Sequence, residues 1–323
     1  MSLMLEAGKT ESQKRLKIFK TELNSTYPRS IPYNKSICIY VCGSLGRLEM
    51  TETTDLDLFF VTMDEKKQQY NANLDKYLFF AELYRINNNL GYDKPSKKGM
   101  FWDFISKKNL LDIGSREEDF NNSFTARMLL ILESKPVYNK SAYNRLIKET
   151  VDKYFIDYSD YSDEFYPLFL INDIERYWRT VALNYEHRRD VNDDVNKKYW
   201  TRLKLKYARL VTCYSMIACL FKKDITPEYV IDCINMTPFE RIYMLSDQFS
   251  NVDSELKSIV EKITKEYEWF LALRKEHLDW WNCDSNKASA LEHANRFHEI
   301  VIREFMNRIS LTNLTLRNKL ELY

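Results

Sequence analysis

The chain has 323 residues, 45% hydrophobic and 29% charged. That is enough apolar material for a sizeable core and for two domains, and it excludes a disordered chain, a collagen-like chain or a small disulfide scaffold. Lys+Arg (48) and Asp+Glu (47) nearly cancel, leaving a net charge of +1. A broad nucleic-acid or membrane-surface coat is therefore not expected, and any basic site must be local.

Glycine usage divides the chain. There are six glycines, and none follows Gly114, where average usage would place roughly 15. Tight hairpins rely on the positive φ that glycine tolerates, so the glycine-free part is expected to be helical and the first third to hold the strands. The expected fold is α+β: a small mixed sheet domain over 1–136, then a larger helical domain over 137–323. None of the six cysteines forms a C-x-x-C pair, and several lie in apolar runs where a reduced thiol acts as a small hydrophobe. The N-terminal residues lack the apolar stretch of a secretion signal, and no run is long enough to cross a bilayer. A cytoplasmic setting without a membrane partner is the expectation.

In chain order, 5–23 reads as a helix with Leu16, Phe19 and Leu23 at helical spacing, ended by Pro28 and Pro32. Two β-rich runs follow, at 36–42 and 55–62, separated by a stretch too long for a tight hairpin. A helix is expected over 65–90, a third strand over 100–105 and a buried helix over 124–134. Pro136 marks the domain boundary. Helices are then expected over 141–154, 163–188, 197–221, 227–234, 238–249, 255–281 and 288–309.

The chemistry concentrates between the first two strands. Gly43 and Ser44 close the first, and Asp55-Leu56-Asp57-Leu58 opens the second. Residues i and i+2 of a strand share a face, so Asp55 and Asp57 project together while Leu56 and Leu58 enter the core. Two adjacent carboxylates repel unless a cation lies between them, and Mg²⁺ is held by one or two carboxylates plus substrate phosphates. Gly43 allows close backbone approach, and Ser44 with the amides after it can meet phosphate oxygens.

The run Gly43-Ser44-Leu45-Gly46-Arg47-Leu48-Glu49-Met50-Thr51, followed by Asp55-Leu56-Asp57-Leu58, resembles the signature of the DNA polymerase beta-like nucleotidyltransferase superfamily. With Gly46-Arg47 and Glu49 it looks most like the branch containing the uridylyltransferase of the PII signalling protein and related bacterial nucleotidyltransferases. The resemblance implies Asp55 and Asp57 as catalytic metal ligands for one or two Mg²⁺ ions, with Mn²⁺ able to substitute. It implies Gly43, Ser44 and Arg47 on the nucleotide side. It also implies a third carboxylate from a later strand, for which Asp103 is the candidate, with Asp112 and Asp119 as rivals that read as cap or loop residues.

A second constellation lies in the helical part. Arg176 and Arg179 are three apart on one expected helix, and Arg202, Lys206 and Arg209 share a face of the next, with Lys204 beside them. The residues alone allow either a solvated basic face or a phosphate clamp; resemblance to the helical part of the same nucleotidyltransferases favours the clamp. The four histidines show no metal spacing.

The implied reaction moves a nucleoside monophosphate from an NTP to an acceptor hydroxyl on a protein or small molecule and releases pyrophosphate. The site is expected in the cleft between the domains. The alternative is a catalytically inactive nucleotide-sensing or interaction protein on the same fold. The near-zero net charge argues against a nucleic-acid acceptor such as tRNA.

Overall fold

The structure is a computed structural model that describes residues 2–30, 36–50, 56–63, 72–91, 102–113, 122–160, 162–191, 195–249, 254–274, 276 and 278–321. Contacts divide the chain into one compact unit of Leu5–Ile156 and another of Asp157–Tyr323 with Met1–Met4. The first unit thus reaches past the boundary expected at 136.

That unit holds one four-stranded mixed sheet. Its strands are β1 (Ile37–Cys42), β2 (Asp57–Thr62), β3 (Phe104–Ser106) and β4 (Lys135–Tyr138), in the order β3-β2-β1-β4. β1 runs antiparallel to β2 and to β4, and β2 runs parallel to β3. All six residues of β1 are buried, so the run is apolar throughout rather than alternating.

One side of the sheet, with Ile37, Ile39, Val41, Leu58 and Phe60, forms a core with Leu16, Phe19 and Leu23 of α1 (Leu3–Ser30) and Phe79, Leu83 and Ile86 of α3 (Ala72–Asn89). Phe60 makes edge contacts with Phe79, Phe80, Trp102 and Phe104. On the other side Tyr40 stacks on Phe59 and donates to Ala126 O at 2.9 Å. This side is covered by α5 (Ser123–Glu133) and α6 (Lys140–Tyr154), which both contact β1. Two short helices, α2 (Gly43–Gly46) and α4 (Lys107–Leu111), follow β1 and β3.

Three local readings change. Helix α1 continues to Ser30, with Pro28 inside its last turn rather than beyond its end. β4 occupies the place where Pro136 was read only as a break. Proline lacks a ladder donor but is accepted on an edge strand, and the register shifts where Pro136 meets Tyr40. The third strand is shorter than expected, because it begins at Phe104.

The second unit is helical, and no strand lies beyond Tyr138 among the described residues. It comprises α7 (Leu168–Val191), α8 (Val195–Lys204), α9 (Leu210–Leu220), α10 (Pro227–Asn235), α11 (Pro238–Phe249), α12 (Ser254–Leu273), α13 (Asp284–Glu299), α14 (Asn307–Ser310) and α15 (Leu314–Glu321). The helices start without glycine. Thr226 accepts from Tyr229 N–H ahead of Pro227, and Thr237 and Glu240 form a reciprocal capping box. Tyr207 lies between Phe270 and Phe297, at ring separations of 4.7 and 4.4 Å. Two π turns interrupt the long helices, Leu205–Arg209 between α8 and α9 and Ile300–Met306 between α13 and α14.

Candidate active site

The turn after β1 is built around a glycine in the left-handed region. Gly43 has φ +67° and opens α2, and a side chain there would collide with the Asp57 Oδ2 oxygen. Asp57 is the first residue of β2 and pairs with Cys42 across the antiparallel ladder. Its carboxylate therefore lies against the Gly43 Cα, in the space a Cβ would fill. Ser44 is half-buried beside it. Asp55 lies outside the described residues.

A buried charge network holds this turn. Glu133, at the end of α5, accepts the Gly43 N–H at 3.1 Å and the Arg47 Nη1 at 2.6 Å. Arg47 Nε donates to Glu49 Oε2 at 3.0 Å. The side chains of Arg47, Glu49 and Glu133 are 7, 4 and 0% exposed. The backbone closes the turn through Arg47 N–H to Gly43 O at 2.9 Å and Glu49 N–H to Ser44 O at 2.7 Å. A side chain at Gly46 would run into Glu133 O. Ser12 of α1 accepts the Met50 N–H at 2.9 Å and fixes the chain leaving the turn.

Arg47, expected on the nucleotide side, instead points inward and brackets the turn through two carboxylates. A guanidinium taken out of water needs anionic partners, and here the protein supplies them. The Gly43 amide is likewise held by Glu133, while the Asp57 carboxylate lies against Gly43 and Ser44 stays half-buried. Glu133 was not singled out from the sequence. Its signal was a single acid ending the apolar run of α5, which has to find a partner when that helix is buried.

Asp103 sits immediately before β3, and the parallel register Phe60↔Phe104 sets it level with Phe59, two residues into β2 from Asp57. Its Oδ1 accepts from Lys76 Nζ at 2.6 Å and from the Phe104 N–H at 2.7 Å, and the side chain is 48% exposed. Asp112 caps α4, and Asp119 lies outside the described residues. Among the described residues no group of three His, Cys, Asp or Glu side chains is placed to hold a metal. Burial pushes the Cys38 thiol up to about 12, which removes it as a nucleophile at neutral pH.

The basic residues of the second constellation all belong to the helical unit. Arg176 pairs with Asp173 at 3.3 Å and Arg179 with Glu175 at 3.2 Å, all within α7. Lys204 lies 5.5 Å over the Trp200 ring. Lys206 donates to Asn295 Oδ1 of α13. Arg202 is half-buried.

Residues 7–100 match a family model described as Putative nucleotidyltransferase DUF294. The match supports nucleotidyl transfer as the kind of reaction. It spans Gly43, Ser44, Arg47, Asp55 and Asp57, and it stops short of Asp103, Glu133 and the helical unit. It supports a nucleotidyltransferase family without selecting the PII uridylyltransferase branch. No curated protein matches the chain. Among the described residues no helix is long and apolar enough to cross a membrane.

Proposed function

We propose that the protein is a Mg²⁺-dependent nucleotidyltransferase that moves a nucleoside monophosphate from an NTP to an acceptor hydroxyl. The observation that carries this reading is the Asp57 carboxylate seated against Gly43, at the mouth of a rigid Gly-Ser turn. The donor set fits a hard divalent cation: the Asp57 carboxylate and the Ser44 hydroxyl are oxygen donors, and Asp55 is assigned as a further ligand from its place in the sequence motif. Mn²⁺ fits the same oxygens. When bound, the cation neutralises charge on the triphosphate.

The chain's own residues do the rest. Glu133 and Arg47 hold the turn in one shape, so Ser44 meets the phosphates without reorganising. Ser44 donates to a phosphate oxygen. The acceptor oxygen forms a bond to the α-phosphorus as the bond to the bridging oxygen breaks, and pyrophosphate leaves with that electron pair. Asp103 is assigned the proton of the acceptor hydroxyl. A protein or small-molecule acceptor and a cytoplasmic setting complete the reading.

The test is incubation with each labelled NTP and Mg²⁺ or Mn²⁺, with candidate protein and small-molecule acceptors. Label on an acceptor that depends on Asp57 supports the proposal. A second reading has one observation in its favour: Asp103 is already engaged by Lys76 and by the Phe104 N–H. A nucleotide-sensing protein would show Mg²⁺–NTP binding that Asp57→Asn abolishes, with no label transferred to any acceptor.

A further inference from the structure

Three half-buried bases meet between two helices of the helical unit. Arg202 and Lys206 are four apart and share a face at the first π turn. Lys206 reaches across to Asn295 of α13, and His298 lies three residues further on the same helix, hence on the same face. Among the described residues, none of the three bases has a carboxylate partner. The acids nearby are engaged elsewhere: Glu299 pairs with Arg303 at 3.5 Å, Glu292 with Arg296 at 3.2 Å, and Glu266 with His293 and Arg296.

We propose that Arg202, Lys206, Asn295 and His298 form a binding site for a small polyphosphate group, either free or as the tail of a nucleotide. Two neighbouring cations half out of water, Arg202 and Lys206, with no carboxylate paired to either and a histidine beside them that can take up a proton, call for an external anion. Arg supplies a planar fork and Lys a point charge, a pairing suited to adjacent phosphates. The electrostatics agree. Lys206 is held below the usual lysine range by burial and then by Arg202, and His298 is lowered by burial and then by Lys206. A bound polyanion would relieve both. π turns often mark functional positions in helices, and Lys206 lies in one while His298 lies two residues before the other. The near-zero net charge favours a small anion over a nucleic-acid backbone.

The site narrows the basic face read from the sequence. Arg176 and Arg179 fall outside it because each is paired on its own helix, and Lys204 because it stacks on Trp200. It goes beyond the nucleotidyltransferase reading and does not need Asp57.

The experiment is calorimetric titration of the full chain with inorganic tripolyphosphate and, separately, with ATP, both without divalent cation. Wild type is expected to bind tripolyphosphate, and Arg202→Gln with Lys206→Gln is expected to weaken it at least tenfold. His298→Gln should weaken it several-fold, and Asp57→Asn should leave it unchanged. Equal affinity for both ligands points to a free polyphosphate and tighter ATP binding to a nucleotide tail; either supports the site. Absent binding to wild type, unchanged binding in the double variant, or loss in Asp57→Asn would overturn it. Retention of the Mg²⁺–NTP response by Asp57→Asn would sink the transferase reading and leave this one standing.

Discussion

Glu133→Gln keeps the shape of the side chain and removes its charge, which makes it the sharpest probe of the turn. Glu133 is fully buried, with one oxygen on the Gly43 amide and the other 2.6 Å from Arg47. Gln keeps one acceptor and brings two N–H donors, so one of them must face either the Gly43 N–H or the guanidinium. Two hydrogen bonds to a charged group, at about 1.5–3 kcal/mol each, are lost or weakened. Breaking a buried ion pair by neutralising one partner costs about 3–5 kcal/mol, a consistent figure. At roughly 2–4 °C per kcal/mol in a chain unit of this size, the melting temperature of the sheet unit should fall by about 6–20 °C. Urea unfolding gives the free energy, and hydrogen exchange at the Gly43 amide reports the turn itself and should accelerate. The neutral triple variant, with Arg47→Met, Glu49→Gln and Glu133→Gln, should recover part of the loss, because the cost lies in the unpaired charge. A loss under about 1 kcal/mol with unchanged Gly43 exchange would refute the reasoning.

Gly43→Ala and Gly91→Ala form a matched pair. Both glycines have positive φ, +67° and +68°, so each alanine should cost about 1–2 kcal/mol. Only the Gly43 substitution also displaces Asp57, since nothing lies within 4 Å of a Cβ at Gly91. Gly43→Ala should therefore abolish the melting-temperature rise with Mg²⁺–NTP while Gly91→Ala keeps it. Asp57→Asn should also abolish that rise and leave the unliganded protein at least as stable, by relief of carboxylate repulsion; unfolding of this variant would make Asp57 structural. Lys76→Met should cost less than about 1 kcal/mol, because its pair with Asp103 is largely solvated, and urea midpoints check this. His298 is lowered below 6.5, so as pH falls from 6.5 to its folded value the unfolded chain takes up the proton first. Stability should fall across that window and not above it, and His298→Gln should flatten the dependence. A ring titration at or above 6.5 by NMR would contradict this.

The central strands were legible because 36–42 and 55–62 carry β-branched and aromatic residues in runs bounded by turn residues. β4 was not, because its pairing with β1 is remote in sequence and Pro136 reads locally as a stop. Long helices were legible from apolar spacing and the absence of glycine. The π turns were not, since each shifts the helical phase without any marker residue. The spacing of Arg202 and Lys206 is visible in the sequence, but the helix that Lys206 reaches begins much later in the chain, with Lys206 meeting Asn295 at a separation of 89 residues. The buried partners of Arg47 were hidden for a related reason. Sequence shows that a guanidinium follows the Gly-Ser turn, but not that Glu133 waits behind it.

Glu133 also decides what makes the turn competent. The matched segment, 7–100, contains Gly43, Ser44, Arg47 and Asp57, yet two of the hydrogen bonds that shape the turn end on Glu133, outside the match. Without Glu133 the Gly43 amide and the Arg47 guanidinium both lose an anionic partner in a dry interior, and such groups rearrange rather than stay unpaired. The carboxylate is delivered by α5, whose next residues enter β4 beside β1. Helix α5 and the edge strand are therefore part of the site's construction, and the geometry that sets Asp57 against Gly43 depends on the sheet being completed on its β4 side.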